Sequence, residues 1–153
     1  MTQLAIIGGS GLTNLNNLKI TRREVIRTPY GEPSGPLVYG RLGGYEIVFL
    51  ARHGYGHTIP PHMVNYRANL WALHEVNVTT VIAVNAVGAI ANDLPSAGLA
   101  LPDQIIDYTY SRDHTFFDGQ QKPVTHVDFT HPYCNGLREL LKQGAEEAGI
   151  KIR

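Results

Sequence analysis

Three short apolar runs, each stopped at its C-terminal end by glycine or small polar residues, constrain the fold of this chain most. Leu4-Ala5-Ile6-Ile7 runs into Gly8-Gly9-Ser10-Gly11-Leu12, and Ile47-Val48-Phe49-Leu50 into Ala51-Arg52-His53-Gly54. Thr79-Thr80-Val81-Ile82-Ala83-Val84 runs into Asn85-Ala86-Val87-Gly88-Ala89. Such runs suit strands buried on both faces of a parallel or mixed sheet covered by helices. With helical patterns between them, they predict an α/β fold around a central mixed sheet. Ligands of such sheets gather beyond the carboxyl ends of the strands, so three loops of this kind can converge on one site.

The coarse order of elements follows. Strands are expected at 4–7, 17–27, 37–41, 45–50, 79–84 and 103–109, and helices at 62–76 and 134–148. In the first helix Val64, Ala68, Trp71 and Ala72 line one side, and Leu70, Leu73 and Val76 widen the stripe. Trp71 is read as core or subunit contact. The last helix carries Leu137, Leu140, Leu141, Ala145 and Ala148 on one side, with Gly149 as its C-cap. Ile150-Lys151-Ile152-Arg153 then reads as the opening of a strand. Residues 109–133 read as one long loop. At 43% apolar, the 153 residues suit one domain over 1–153.

The loops carry chemistry. Arg52 offers a planar fork of donors to pairs of oxygens, and His53 a further donor. Successive N–H groups of the Gly8–Gly11 turn, with the Ser10 hydroxyl, can cradle phosphate. Asn85 adds a side-chain amide. Taken singly, each loop suits a solvated strand end or a ligandless turn equally well. Two familiar motifs are absent: no lysine precedes Lys19, as a Walker loop requires, and position 14 is Asn where a dinucleotide fingerprint has its third glycine.

Other classes are narrowed by composition. Thirteen basic and thirteen acidic residues balance, so no broad basic field serves nucleic acid. A single cysteine, Cys134, allows no internal disulfide, and neither a leader pattern nor a membrane-length apolar run is present, so a cytoplasmic location is expected. His53, His57 and His62 lie close in sequence, as do His126 and His131, but no Cys-x-x-Cys or His-Glu-x-x-His frame supports zinc, and no metal is expected.

The residues also carry a resemblance. Gly8-Gly9-Ser10-Gly11-Leu12, Thr28-Pro29-Tyr30-Gly31-Glu32-Pro33-Ser34, Ala51-Arg52-His53-Gly54, His57-Thr58-Ile59 and Asn65-Tyr66-Arg67-Ala68-Asn69-Leu70-Trp71-Ala72-Leu73 follow one another as in the methylthioadenosine/S-methyl-5′-thioinosine phosphorylase branch of the purine nucleoside phosphorylases. Asp103-Gln104-Ile105-Ile106-Asp107 and Phe116-Phe117-Asp118-Gly119 match the same branch. This resemblance implies a partly barrel-like sheet, a homotrimer, and phosphorolysis of a 5′-methylthio purine nucleoside with phosphate as co-substrate and no cofactor. It assigns phosphate to Ser10, Arg52, His53, Asn85 and Ala86. It places Val87 and Gly88 beside purine and ribose, and sends His126 into a neighbouring subunit's 5′ pocket. An ordinary surface histidine remains the other reading of His126.

Members of that branch are longer. Their purine-contacting aspartate, a ribose-contacting methionine and a further phosphate-binding hydroxyl lie in a C-terminal third that follows the region matched here. The chain is therefore expected to be an N-terminal piece of the fold, apparently truncated, with the phosphate half of a site and no catalytic acid of its own. It is a candidate for inactivity when alone. Asn85-Ala86-Val87-Gly88 resembles the Asn-Ala-x-Gly stretch of 6-oxopurine phosphorylases, which favours S-methyl-5′-thioinosine, releasing hypoxanthine, over methylthioadenosine. A general purine nucleoside phosphorylase is a further alternative. Outside that class stand a nucleotide-binding oxidoreductase using the Gly8–Gly11 turn and a non-catalytic binding module.

Overall fold

A computed structural model describes residues 3–12, 15–119 and 123–153. They cluster into two compact units. The first runs to Ala86 and includes Ser111–Phe116; the second comprises Val87–Tyr110 and Phe117–Arg153.

The first unit is built on a five-stranded mixed sheet. Its strands are β1 (Gln3–Gly8), β2 (Lys19–Glu24), β3 (Leu37–Leu42), β4 (Tyr45–Ala51) and β5 (Val78–Ala83), in the order β2-β3-β4-β1-β5. β2, β3 and β4 are antiparallel neighbours, whereas β1 is parallel to both β4 and β5. Gly43 and Gly44, both at positive φ, make the two-residue turn of the β3–β4 hairpin. The outer strand β2 is charged and exposed, which discourages pairing with other chains.

Alternation along β1, β3 and β4 explains why these strands read as continuous apolar runs. Ala5, Ile7, Leu37, Tyr39, Val48 and Leu50 point to one face, where they meet Ala72 and Leu73 of helix α1 (Tyr66–Glu75). Val38, Phe49 and Ala51 point to the other, where Ile6, Leu12, Leu15 and Leu18 cover them. Each fully buried Leu or Phe of this set stabilises the unit by roughly 1.5–3 kcal/mol through removal from water.

Tyr39 adds a polar group to the first face. Its hydroxyl is buried and makes no geometrically acceptable hydrogen bond among the described residues. Burial pushes its pKa up to about 12, the Glu24 carboxylate pushes the same way, and the Arg22 guanidinium, 3.6 Å above the ring, opposes them.

The helix begins later than its apolar stripe predicts. Pro61–Met63 forms a separate 3-10 turn, and α1 starts at Tyr66 because Asn65 caps it, its Oδ1 accepting from the Ala68 N–H at 3.0 Å. Val64, Ala68, Ala72 and Leu73 are buried as expected, whereas Leu70 is exposed and Trp71 is part-buried. Trp71 stacks edge-on with Tyr30 at 5.5 Å between ring centroids.

Among its described residues the second unit carries one helix, α2 (Asn135–Glu147). Gly149, at φ +67°, ends it in the double hydrogen-bond pattern of a left-handed cap: Gly149 N–H to Glu146 C=O at 3.0 Å and Ile150 N–H to Ala145 C=O at 2.8 Å. The strand opening expected after Gly149 is a single bridge between Ile152 and Leu99, beside an ion pair of Arg153 with Asp93. The strand expected over 103–109 is not formed. There Asp107 Oδ1 accepts from both the N–H and the hydroxyl of Thr109, a local turn that competes with extended pairing. No described helix is long and apolar enough to cross a membrane.

Candidate functional site

Because β1 is parallel to both its neighbours, the C-terminal ends of β4, β1 and β5 lie at one edge of the sheet. Gly8 is in register with Ala51, and Ile7 with Ala83. Two backbone bonds extend this pairing past the strands: Arg52 N–H to Gly8 C=O and Val84 N–H to Ile7 C=O, both at 2.9 Å. The loops beginning at Gly9, Arg52 and Val84 therefore leave the sheet side by side, as the sequence pattern predicts.

Arg52 joins all three. Its side chain leaves the end of β4, passes over Gly9, and donates from Nη1 to the Val84 carbonyl at 3.3 Å. Among the described residues this is the only hydrogen bond the guanidinium makes, so most of its N–H groups remain for an anion. Ser10 and Asn85 are exposed in the adjoining loops, and so is Ala86.

His53 is held differently. It is buried, its Nδ1 lies 2.8 Å from the Ile59 carbonyl, and the Ile59 N–H returns a bond to the His53 carbonyl at 3.0 Å. A carbonyl can only accept, so Nδ1 carries the proton and Nε2 of a neutral ring is an acceptor. At Nε2 a neutral His53 can only accept, and only the imidazolium offers there the donor expected from sequence. The His57 ring lies 4.6 Å from it, centroid to centroid. No group of three or more His, Cys, Asp or Glu among the described residues could hold a metal ion.

Val87, Gly88 and His126 fall in the second unit on exposed, irregular backbone. The first unit contains partners that the sequence pattern did not single out. Asn69 is buried in α1, accepting from the Ser34 N–H at 2.7 Å and donating to the Ser34 hydroxyl at 2.9 Å. The cap residue Asn65 also donates to the Tyr30 carbonyl at 2.6 Å. These two amides pin the 28–34 loop to the start of α1. The available signal was a pair of asparagines four apart, residues that a helix disfavours unless their amides have partners. Arg67 holds the Ser111–Phe116 segment, pairing with Asp113 at 2.6 Å and donating to the Thr115 carbonyl at 3.3 Å.

Comparison with known proteins places this arrangement. A family model described as the phosphorylase superfamily matches residues 3–153. A probable S-methyl-5′-thioinosine phosphorylase of Pseudomonas syringae pv. tomato is 49% identical over 138 residues, covering 90% of this chain and 56% of the relative. An S-methyl-5′-thioadenosine phosphorylase of Hyperthermus butylicus is 48% identical over 149 residues, covering 97% of this chain and 54% of the relative. The chain thus spans about half the length of the relatives it matches. A methylthioadenosine phosphorylase from Schistosoma mansoni, solved with adenine, superposes with a TM-score of 0.94 at 38% identity, covering 100% of this chain and 56% of that one. A solved double variant of the adenosine/methylthioadenosine phosphorylase from Schistosoma mansoni matches with a TM-score of 0.91 at 36% identity, covering 100% of this chain and 55% of that one. It has one serine and one asparagine replaced by threonine, and those two positions stand at the same separation in sequence as Ser10 and Asn85.

Proposed function

The chain belongs to the phosphorylase superfamily, and from that premise we propose that the loops ending β1, β4 and β5 bind inorganic phosphate for the phosphorolysis of a 5′-methylthio purine nucleoside. The observation that carries this reading is the Arg52 side chain, fixed across Gly9 onto Val84 with most of its fork uncommitted.

A phosphate oxygen attacks the anomeric carbon, the bond from that carbon to the purine nitrogen breaks, and the nitrogen keeps the electron pair and gains a proton. The products are the free purine and 5-methylthioribose 1-phosphate. Arg52, His53, Ser10, Asn85 and the backbone at Ala86 hold the phosphate in line, and positioning of this kind supplies a large share of such a rate enhancement. The ribosyl group becomes cation-like in the transition state, and the bound phosphate dianion stabilises it. Val87 and Gly88 meet purine and ribose, and His126 serves a neighbouring subunit's 5′ pocket in a trimer. No residue of this chain is assigned as the acid that protonates the leaving purine.

S-methyl-5′-thioinosine is the favoured substrate, on the Asn85-Ala86-Val87-Gly88 stretch and on the Pseudomonas relative's name. Methylthioadenosine is the second reading. The Schistosoma enzyme has an asparagine at the spacing of Asn85 and is solved with adenine, so an asparagine at this position does not by itself fix the base.

The phosphate site is tested by thermal denaturation of this chain in inorganic phosphate and in chloride at equal ionic strength. A ligand of the folded state raises the melting temperature with its concentration. Phosphate-specific stabilisation that disappears in Arg52→Ala supports the site. Equal melting in both salts contradicts it.

A further inference from the structure

The Gly8–Gly11 turn holds three glycines, and the structure gives them different work. Gly11 has φ +80° and nothing within 4 Å of where a Cβ would stand, so its glycine is a matter of backbone conformation. Gly9 is outside the positive-φ region. A Cβ there would lie 2.1 Å from Arg52 Nη2, 2.9 Å from Arg52 Cζ and 2.8 Å from the Val84 carbonyl oxygen. The space that a side chain would need at position 9 is filled by the guanidinium of Arg52.

We infer that Gly9 is a positioning residue for Arg52: its missing side chain is what lets the guanidinium cross the end of β1 and reach Val84, and so fixes the direction of the N–H groups left for phosphate. The inference rests on reading the three loops as a phosphate site. Gly9 needs no contact with phosphate to act this way. An alanine there pushes the fork off the Val84 carbonyl, and an arginine without that anchor samples many rotamers that must be ordered again when the anion binds.

The test is a double-mutant cycle read as apparent phosphate affinity, from phosphate-dependent thermal stabilisation of this chain. Lysine carries no planar fork, and its slimmer end can clear a Cβ that the guanidinium cannot. Gly9→Ala is expected to weaken phosphate by about tenfold or more beside Arg52, but by no more than about threefold in an Arg52→Lys background. A merely structural role, such as the spacing between the Gly9 and Val84 backbones, costs the same in both backgrounds, and that result overturns the inference. If Gly9→Ala does not fold, nitrogen-15 spectra of the unmodified chain decide. Slow, hindered rotation of the Arg52 guanidinium supports the positioning, and free averaging contradicts it. A chain that shows no phosphate-specific stabilisation even without substitutions fails the phosphate reading. One that is stabilised, and loses the effect in Arg52→Ala but shows no Gly9–Arg52 coupling, fails only the role given to Gly9.

Discussion

The guanidinium of Arg52 and the main-chain carbonyl of Val84 meet at 3.3 Å across the end of β1. A side chain from one strand thereby ties down the loop that follows another, two places away in the sheet. The cation is anchored before any ligand arrives, and electrostatic stabilisation is strongest when its donors need no reorganisation during the reaction.

Arg52→Ala removes both the anchor and the charge. In a form of the protein extended to its relatives' length, kcat/KM for phosphorolysis falls by an amount equivalent to about 2–4 kcal/mol, with the loss concentrated in the dependence on phosphate. Arg52→Lys recovers only part of it, because an ammonium is a point charge without the fork. Steady-state kinetics with phosphate as the varied substrate checks this. An unchanged phosphate dependence in Arg52→Ala removes the assignment.

Asn69 bears on the scaffold. Its amide makes two bonds to Ser34 from a buried position, so Asn69→Ala leaves the Ser34 N–H and hydroxyl without their partner and opens a gap. Unfolding in urea is expected to show a loss of about 1–3 kcal/mol with little change in slope. A loss below about 0.5 kcal/mol shows that water replaces the amide at no cost.

Tyr39 makes stability fall in alkali. Its folded-state pKa is raised from 10.0 to about 12, so the folded protein keeps a proton that the unfolded chain releases. The contribution is complete below pH 10 and declines between pH 10 and pH 12, by roughly 2 kcal/mol at about 1.4 kcal/mol per unit. Tyr39→Phe removes that decline. At neutral pH its effect is small, because losing the weak pull of the Glu24 carboxylate on the hydroxyl is offset by no longer burying a hydroxyl without a well-formed hydrogen bond. Denaturant unfolding of both proteins from pH 7 to pH 12 reads the difference, and parallel curves contradict it.

The relation between sequence and structure divides by range. The ends of β1 and β4 were legible because burial on both faces forces apolar residues at successive positions, and glycine or small polar residues then mark where each strand stops. β5 carries the same apolar signature but is an edge strand of the described sheet with no fully buried residue, so the expectation of burial on both faces is not met there. The start of α1 was less legible: Val64 is buried like a helix residue, yet it precedes the cap at Asn65. Residues 103–109 look extended in isolation, but a strand is a pairing, and the Asp107–Thr109 turn takes the backbone elsewhere. Two features depend on groups far away in sequence: the partnership of Asn69 with Ser34, and the filling of Gly9's side-chain space by Arg52. The tautomer that Ile59 imposes on His53 is set within one short loop, but by a backbone carbonyl that residue types do not reveal.

The most direct measurement is purine release from S-methyl-5′-thioinosine with and without inorganic phosphate, using the chain extended to its relatives' length. Hypoxanthine release that requires phosphate and yields a sugar 1-phosphate is the predicted result. Release at the same rate without phosphate, or none from either this nucleoside or methylthioadenosine, contradicts the assignment of the three loops.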